Sequence, residues 1–145
     1  MPRPIRTAVV LACLAGAAFA HSGVTDPTVM QRMQLMKDIK DTAAQLGKMT
    51  RTLVPFDPDQ AEALARDMAR HAAAIPAAFE TPAQDPRSEA KPEIWTDWPD
   101  FVADAAMLED AASAMQTGTL DELRFGMRAV AKACATCHED YRLEN

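Results

Sequence analysis

Proline placement constrains this chain more than any other feature. Asp26-Pro27 and Asp57-Pro58 each join a helix-capping side chain to the residue best tolerated at the first helical position, where the N–H that proline lacks has no partner anyway. Between the prolines, apolar residues recur at helical spacing and no useful stretch alternates like a half-buried strand, so the chain reads as all-α. The first helix is expected from Pro27 through Val29, Met33, Met36, Ala43 and Leu46 towards Met49, and the second from Pro58 with Ala61, Leu64, Ala65 and Met68 inward. Pro76 ends or kinks the second. Residues 80–99, with Pro82, Pro86, Pro92 and Pro99, read as a long ordered connection rather than a helix. A third helix starts near Pro99-Asp100, buries Phe101, Val102, Ala105, Leu108, Ala112 and Met115, and stops at Gly118. Thr119 and Glu122 form a capping box for a fourth that carries Leu123, Met127, Val130, Ala131, Cys134 and Tyr141. Four helices joined by two short connections and one long one predict an antiparallel four-helix bundle.

The bundle must come from what remains after export. Arg3 and Arg6 precede an apolar run over residues 7–19, and Ala18-Phe19-Ala20 is a signal-peptidase pattern, which predicts cleavage after Ala20 and a mature domain over residues 21–145. The run falls short of the roughly 20 apolar residues a membrane span needs, so no stable membrane insertion is expected. A rival reading makes Val10-Leu11-Ala12-Cys13 a lipoprotein site that acylates Cys13. Cleavage after Ala20 leaves 13 basic and 21 acidic residues, a net charge of −8. That balance excludes nucleic acid as a partner and suits a soluble periplasmic protein or one that meets basic partners.

Only two cysteines then remain, too few for a disulfide scaffold. Cys134-Ala135-Thr136-Cys137-His138 has the C-x-x-C-H spacing of covalent haem attachment. Residues three and four apart share a helix face, so one turn presents two sulfurs to the haem vinyl groups and an imidazole to the iron. A zinc site lacks a fourth ligand with motif spacing, since His71, His21 and scattered carboxylates are all that remain. A thioredoxin-like pair belongs at a strand-to-helix junction, which this chain does not offer.

At this point the sequence resembles the class II cytochromes c, cytochrome c prime and its low-spin, methionine-ligated relatives. The resemblance covers essentially the whole mature chain. It rests on the stretch from Cys134 to Arg142 close to the C-terminus, on Lys91-Pro92-Glu93-Ile94-Trp95, and on Arg32-Met33-Gln34-Leu35-Met36-Lys37. It implies a left-handed four-helix bundle holding one haem c, thioethers from Cys134 and Cys137, His138 as proximal iron ligand, Arg142 beside that imidazole and Arg32 at a haem propionate. It also implies a homodimer through the first two helices, although Gln45, Lys48 and Arg51 leave a monomer open.

The same resemblance puts Met36, four positions after Arg32, on the distal side of the haem. Methionine ligation would make the iron six-coordinate and low-spin, and His/Met pairs raise a cytochrome's reduction potential. The chain would then be a one-electron carrier between redox proteins rather than an enzyme. The alternative is five-coordinate, high-spin iron that binds nitric oxide or carbon monoxide, with Met36 as a steric gate or a core filler. Met33 lies one turn earlier on the same face, and His71 offers a further ligand on a stretch of the second helix expected to lean towards solvent. Trp95 and Trp98 cover a haem edge or close the bundle end, Phe79, Phe101 and Phe125 are core residues, and Lys91 and Glu93 are solvated.

Overall fold

The computed structural model describes residues 23–144, and the expected signal peptide, its cleavage site, Cys13 and His21 lie outside them. Six helices follow in order: α1 (Pro27–Thr50), α2 (Pro58–Ala73), α3 (Ile75–Phe79), α4 (Glu93–Thr96), α5 (Trp98–Ser113) and α6 (Leu120–Tyr141). The four long ones close a ring in which α1 packs on α2, α2 on α5, α5 on α6 and α6 back on α1. The expected bundle is therefore present, with two short helices folded over one end.

The helix starts follow from the caps. Asp26 accepts from the backbone N–H of Thr28 (2.8 Å) and Val29 (3.0 Å), and Asp57 accepts from that of Gln60 (3.1 Å). These bonds satisfy donors that no helical carbonyl can reach. Thr119 caps α6 by accepting from the Glu122 N–H (3.2 Å), while its hydroxyl donates to the Glu122 carboxylate (2.9 Å) instead of receiving a return bond at its own backbone. Pro76 acts at a distance of two residues. It can donate nothing back towards Ala72, so the second helix breaks at Ala74 and restarts as α3.

Several expectations need correction. The third helix stops at Ser113, capped by Ala114, and Met115 leaves the helical path to fill space beside Gly126. The connection over residues 80–99 is not free of helix: α4 begins straight after Pro92, and α5 already starts at Trp98. Ala131 is exposed. Phe125 is 69% exposed and stacks under the Arg128 guanidinium (5.2 Å) instead of joining the core. Lys91 is half-buried, and its ammonium donates to the Glu139 carbonyl (2.8 Å).

The ends of the bundle set the relative direction of α1 and α6. At one end, Arg124 near the start of α6 donates through Nε to the carbonyl of Thr50, the last residue of α1 (3.1 Å). At the other, the Lys91 N–H donates to the Tyr141 carbonyl (3.0 Å) and the Leu143 N–H to that of Glu89 (2.8 Å), an isolated antiparallel bridge centred on Ala90 and Arg142. The connection bearing Ala90 is in turn tied to the start of α1, because Asp85 accepts from the Thr25 N–H (3.0 Å). The two longest helices are therefore antiparallel.

Candidate haem site

Cys134, Cys137 and His138 occupy the last turns of α6, where helical spacing holds all three in one register. Both thiols are free and half-buried. Burial pushes both pKa values up, that of Cys137 to about 12 with the Asp104 carboxylate adding to the effect. Among the described residues no group of three or more His, Cys, Asp and Glu side chains could hold a metal ion.

His138 is exposed, and its Nδ1 lies 3.4 Å from an Nη of Arg142. Burial of part of the ring and the Arg142 charge lower its pKa, and Glu89 opposes them. Arg142 is itself held by Glu89 (Nε to Oε2, 3.2 Å). With Nδ1 facing the guanidinium, Nε2 is the nitrogen left to bind iron.

The opposite wall is α1. Its buried residues, Val29, Arg32, Ile39, Thr42, Leu46 and Met49, form a stripe at helical spacing that is interrupted once, at Leu35 and Met36, which are only half-buried. The inward stripe of α6, Leu123, Gly126, Val130 and Ala133, is likewise interrupted at Cys134 and Cys137 before Tyr141 closes it. On each of these antiparallel helices the buried stripe gives way to half-buried side chains packed against the core. The register of those stretches can be counted from the Arg124–Thr50 bond: His138 stands fourteen residues beyond Arg124, and fourteen residues back from Thr50 is Met36. At 1.5 Å per residue both lie about 21 Å from that end of the bundle. Met33 lies a turn further along and is 38% exposed.

Arg32 is placed differently from a free propionate ligand. It is 3% exposed, donates from Nε to the Ala78 carbonyl (2.9 Å), from Nη1 to that of Ala83 (3.1 Å) and from Nη2 to that of Thr81, and lies over the rings of Phe79 (5.0 Å) and Trp95 (5.1 Å). Its planar fork clamps α3 and the following connection to α1, and two of its five N–H groups remain for any further acceptor. Five aromatic residues form one cluster at this end. Phe101 meets Phe79 (5.2 Å), Trp98 (5.5 Å) and, edge-on, Tyr141 (5.3 Å), and Trp95 donates to the Phe79 carbonyl (2.8 Å). Trp95 and Trp98 thus close the bundle end.

Sequence reasoning missed two features. Asp85, ahead of Pro86, looked like one more loop residue, yet it gathers the backbone N–H groups of Thr25, Asp26 and Arg87 and is buried. The Asp-Pro pair carried a turn signal that could have found it. His71 was expected to lean towards solvent, and the structure buries its Nδ1 without a hydrogen-bond partner.

The donor set therefore fits a haem bound through two thioethers and one imidazole, beside the half-buried Leu35 and Met36 of α1. Residues 27–142 match the family described as Cytochrome C'. A cytochrome c-556 from Agrobacterium fabrum is 30% identical over 146 residues, covering 98% of this chain and 96% of its own length. A cytochrome c-554 from Cereibacter sphaeroides is 35% identical over 120 residues, covering 77% of each chain. Among solved structures, cytochrome c' from Rhodopseudomonas palustris superposes with a TM-score of 0.75 at 25% identity, covering 83% of this chain and 99% of that one. The chain belongs to the cytochrome c' family of class II cytochromes c, and its cofactor is covalently attached haem c.

Proposed function

We propose that this cytochrome is a periplasmic one-electron carrier in which Cys134 and Cys137 form the thioethers, His138 provides the proximal nitrogen and Met36 the distal sulfur. The haem supplies a one-electron ferric/ferrous couple. The observation that carries the reading is the shared level of Met36 and His138 on antiparallel helices, with Met36 half-buried where the α1 stripe is interrupted. A thioether and an imidazole held by two packed helices are displaced little when the charge at the metal changes, which suits electron transfer.

Residues 1–20 would direct export to the periplasm before their removal, and among the described residues no helix is long and apolar enough to cross a membrane. The aromatic cluster around Phe101 and Tyr141 keeps water from the interior beside Cys137, while the exposed imidazole face of α6 is the side on which a redox partner would meet the molecule.

Absorption and electron-spin-resonance spectra of the oxidised holoprotein test this directly. The expected result is a low-spin spectrum with a methionine-to-iron charge-transfer band, converted to high spin by Met36→Ala and unaffected by Met33→Ala. A high-spin wild type would instead establish the five-coordinate, gas-binding alternative, and a low-spin Met36→Ala would remove Met36 from the ligand set.

A further inference from the structure

His71 is an unused polar group in the core. Among the described residues, its Nδ1 is the one buried side-chain nitrogen or oxygen without a hydrogen-bond partner. Leaving such an atom unsatisfied is destabilising, and native chains satisfy nearly all of theirs.

The level of His71 in the bundle identifies the partner. α1 ends at Thr50, and α2 begins at Pro58 and runs back against it, so His71, thirteen residues after Pro58, stands near the level of Lys37, thirteen residues before Thr50. Lys37 adjoins Met36, so His71 is near the level of His138. A porphyrin is wider than the 5.4 Å pitch of a helix, so a ring attached at Cys134 and Cys137 spans this level. Helix α2 packs on α1 and α5 and lies diagonally across the bundle from α6. A buried atom on α2 therefore lies on the side packed against α1 and α5, which faces the bundle interior.

Apart from its iron, a haem presents hydrogen-bonding atoms only at its two propionate carboxylates. The side chain of His71 is half-buried, with Nδ1 inside. A neutral imidazole protonated at Nδ1 is a donor and a carboxylate is an acceptor only, so the two match. Arg32, the propionate partner implied by resemblance, already spends three donors on backbone carbonyls, which leaves room for a second donor. We propose that His71 donates from Nδ1 to a haem propionate and thereby positions the haem and draws negative charge away from the iron. The inference rests on attachment at Cys134 and Cys137 and is independent of what fills the distal position.

The test uses the holoprotein and its His71→Leu and His71→Asn variants. Asparagine places an amide N–H near the position of Nδ1, and leucine removes the donor. Resonance Raman spectroscopy reads the propionate bending mode, voltammetry at one fixed pH reads the potential, and the electronic spectrum reads axial ligation. The expected result is a shifted bending mode and a lower potential in His71→Leu, both restored towards wild type by His71→Asn, with axial ligation unchanged throughout. A bending mode identical in wild type and His71→Leu overturns the proposal, as does a His71→Leu spectrum turned from low to high spin, which would make His71 an iron ligand. Should His71→Leu fail to load haem, His71→Gln, whose amide lies nearer the Nε2 position, takes its place. A shift in Gln but not in Asn upholds the assignment, and equal modes in both refute it.

Discussion

Replacing Gly126 by alanine adds one methyl group to the middle of α6, and Met115 decides the sign of its effect. In an open helical position the change would stabilise the fold by about 1 kcal/mol, because glycine loses the most backbone freedom on folding. Here a Cβ on Gly126 would lie 2.5 Å from Met115 Cγ, 3.3 Å from its Cβ and 3.5 Å from its Cα. The obstruction is the root of the side chain, not its mobile end, and Met115 is 8% exposed with little room to retreat. Overpacking of this kind costs about 1–3 kcal/mol, so Gly126→Ala should be net destabilising by about 1 kcal/mol. Met115→Ala alone should cost about 2 kcal/mol as a buried truncation. In that background the clash with Cγ is gone while the 3.3 Å approach to Cβ remains, so Gly126→Ala should become about neutral, a coupling of about 1 kcal/mol between touching residues. Urea denaturation of the four holoproteins, followed by far-ultraviolet circular dichroism, measures the cycle. Stabilisation by Gly126→Ala with Met115 still present would refute the reasoning.

Two further outcomes follow from the same geometry. Asp85 has its pKa lowered by the backbone N–H groups of Thr25 and Arg87, so its contribution to stability is complete above its unfolded pKa of about 3.9 and is lost as pH falls through the lower folded value. Acid titration of the denaturation midpoint should therefore show a drop below about pH 4 that is smaller in Asp85→Asn, and an unchanged profile would remove Asp85 as its source. Arg32→Lys keeps the charge but cannot reach three carbonyls at once, so it should cost about 2–3 kcal/mol and speed proteolysis within residues 80–91. Cleavage no faster than in wild type would show that the clamp does not hold that connection.

Much of the architecture was open to reading because it is written locally. The Asp-Pro caps, the Thr119 cap and the spacing of C-x-x-C-H act over three or four residues, a range within which backbone geometry alone decides which groups meet. Errors arose where the outcome depended on a distant neighbour. Phe125 has the composition of a core residue but lies on the outward face of α6, and Met115 left its helix because the missing side chain at Gly126 opened a place for it. Arg32 shows the same limit: the resemblance sets it at a haem propionate, and only the return of residues 78–83 across α1 supplies the carbonyls that let it be buried.

The sequence by itself determined that this chain is a helical bundle with a haem-binding pentapeptide in its last helix, since both follow from periods shorter than two turns. Tertiary structure alone decided that the end of α1 meets the start of α6, that His71 turns a bare nitrogen inward, and that Asp85 and Arg32 fasten the long connection. Those relations join residues more than thirty positions apart. They are set by helix direction and register, and no local pattern encodes either.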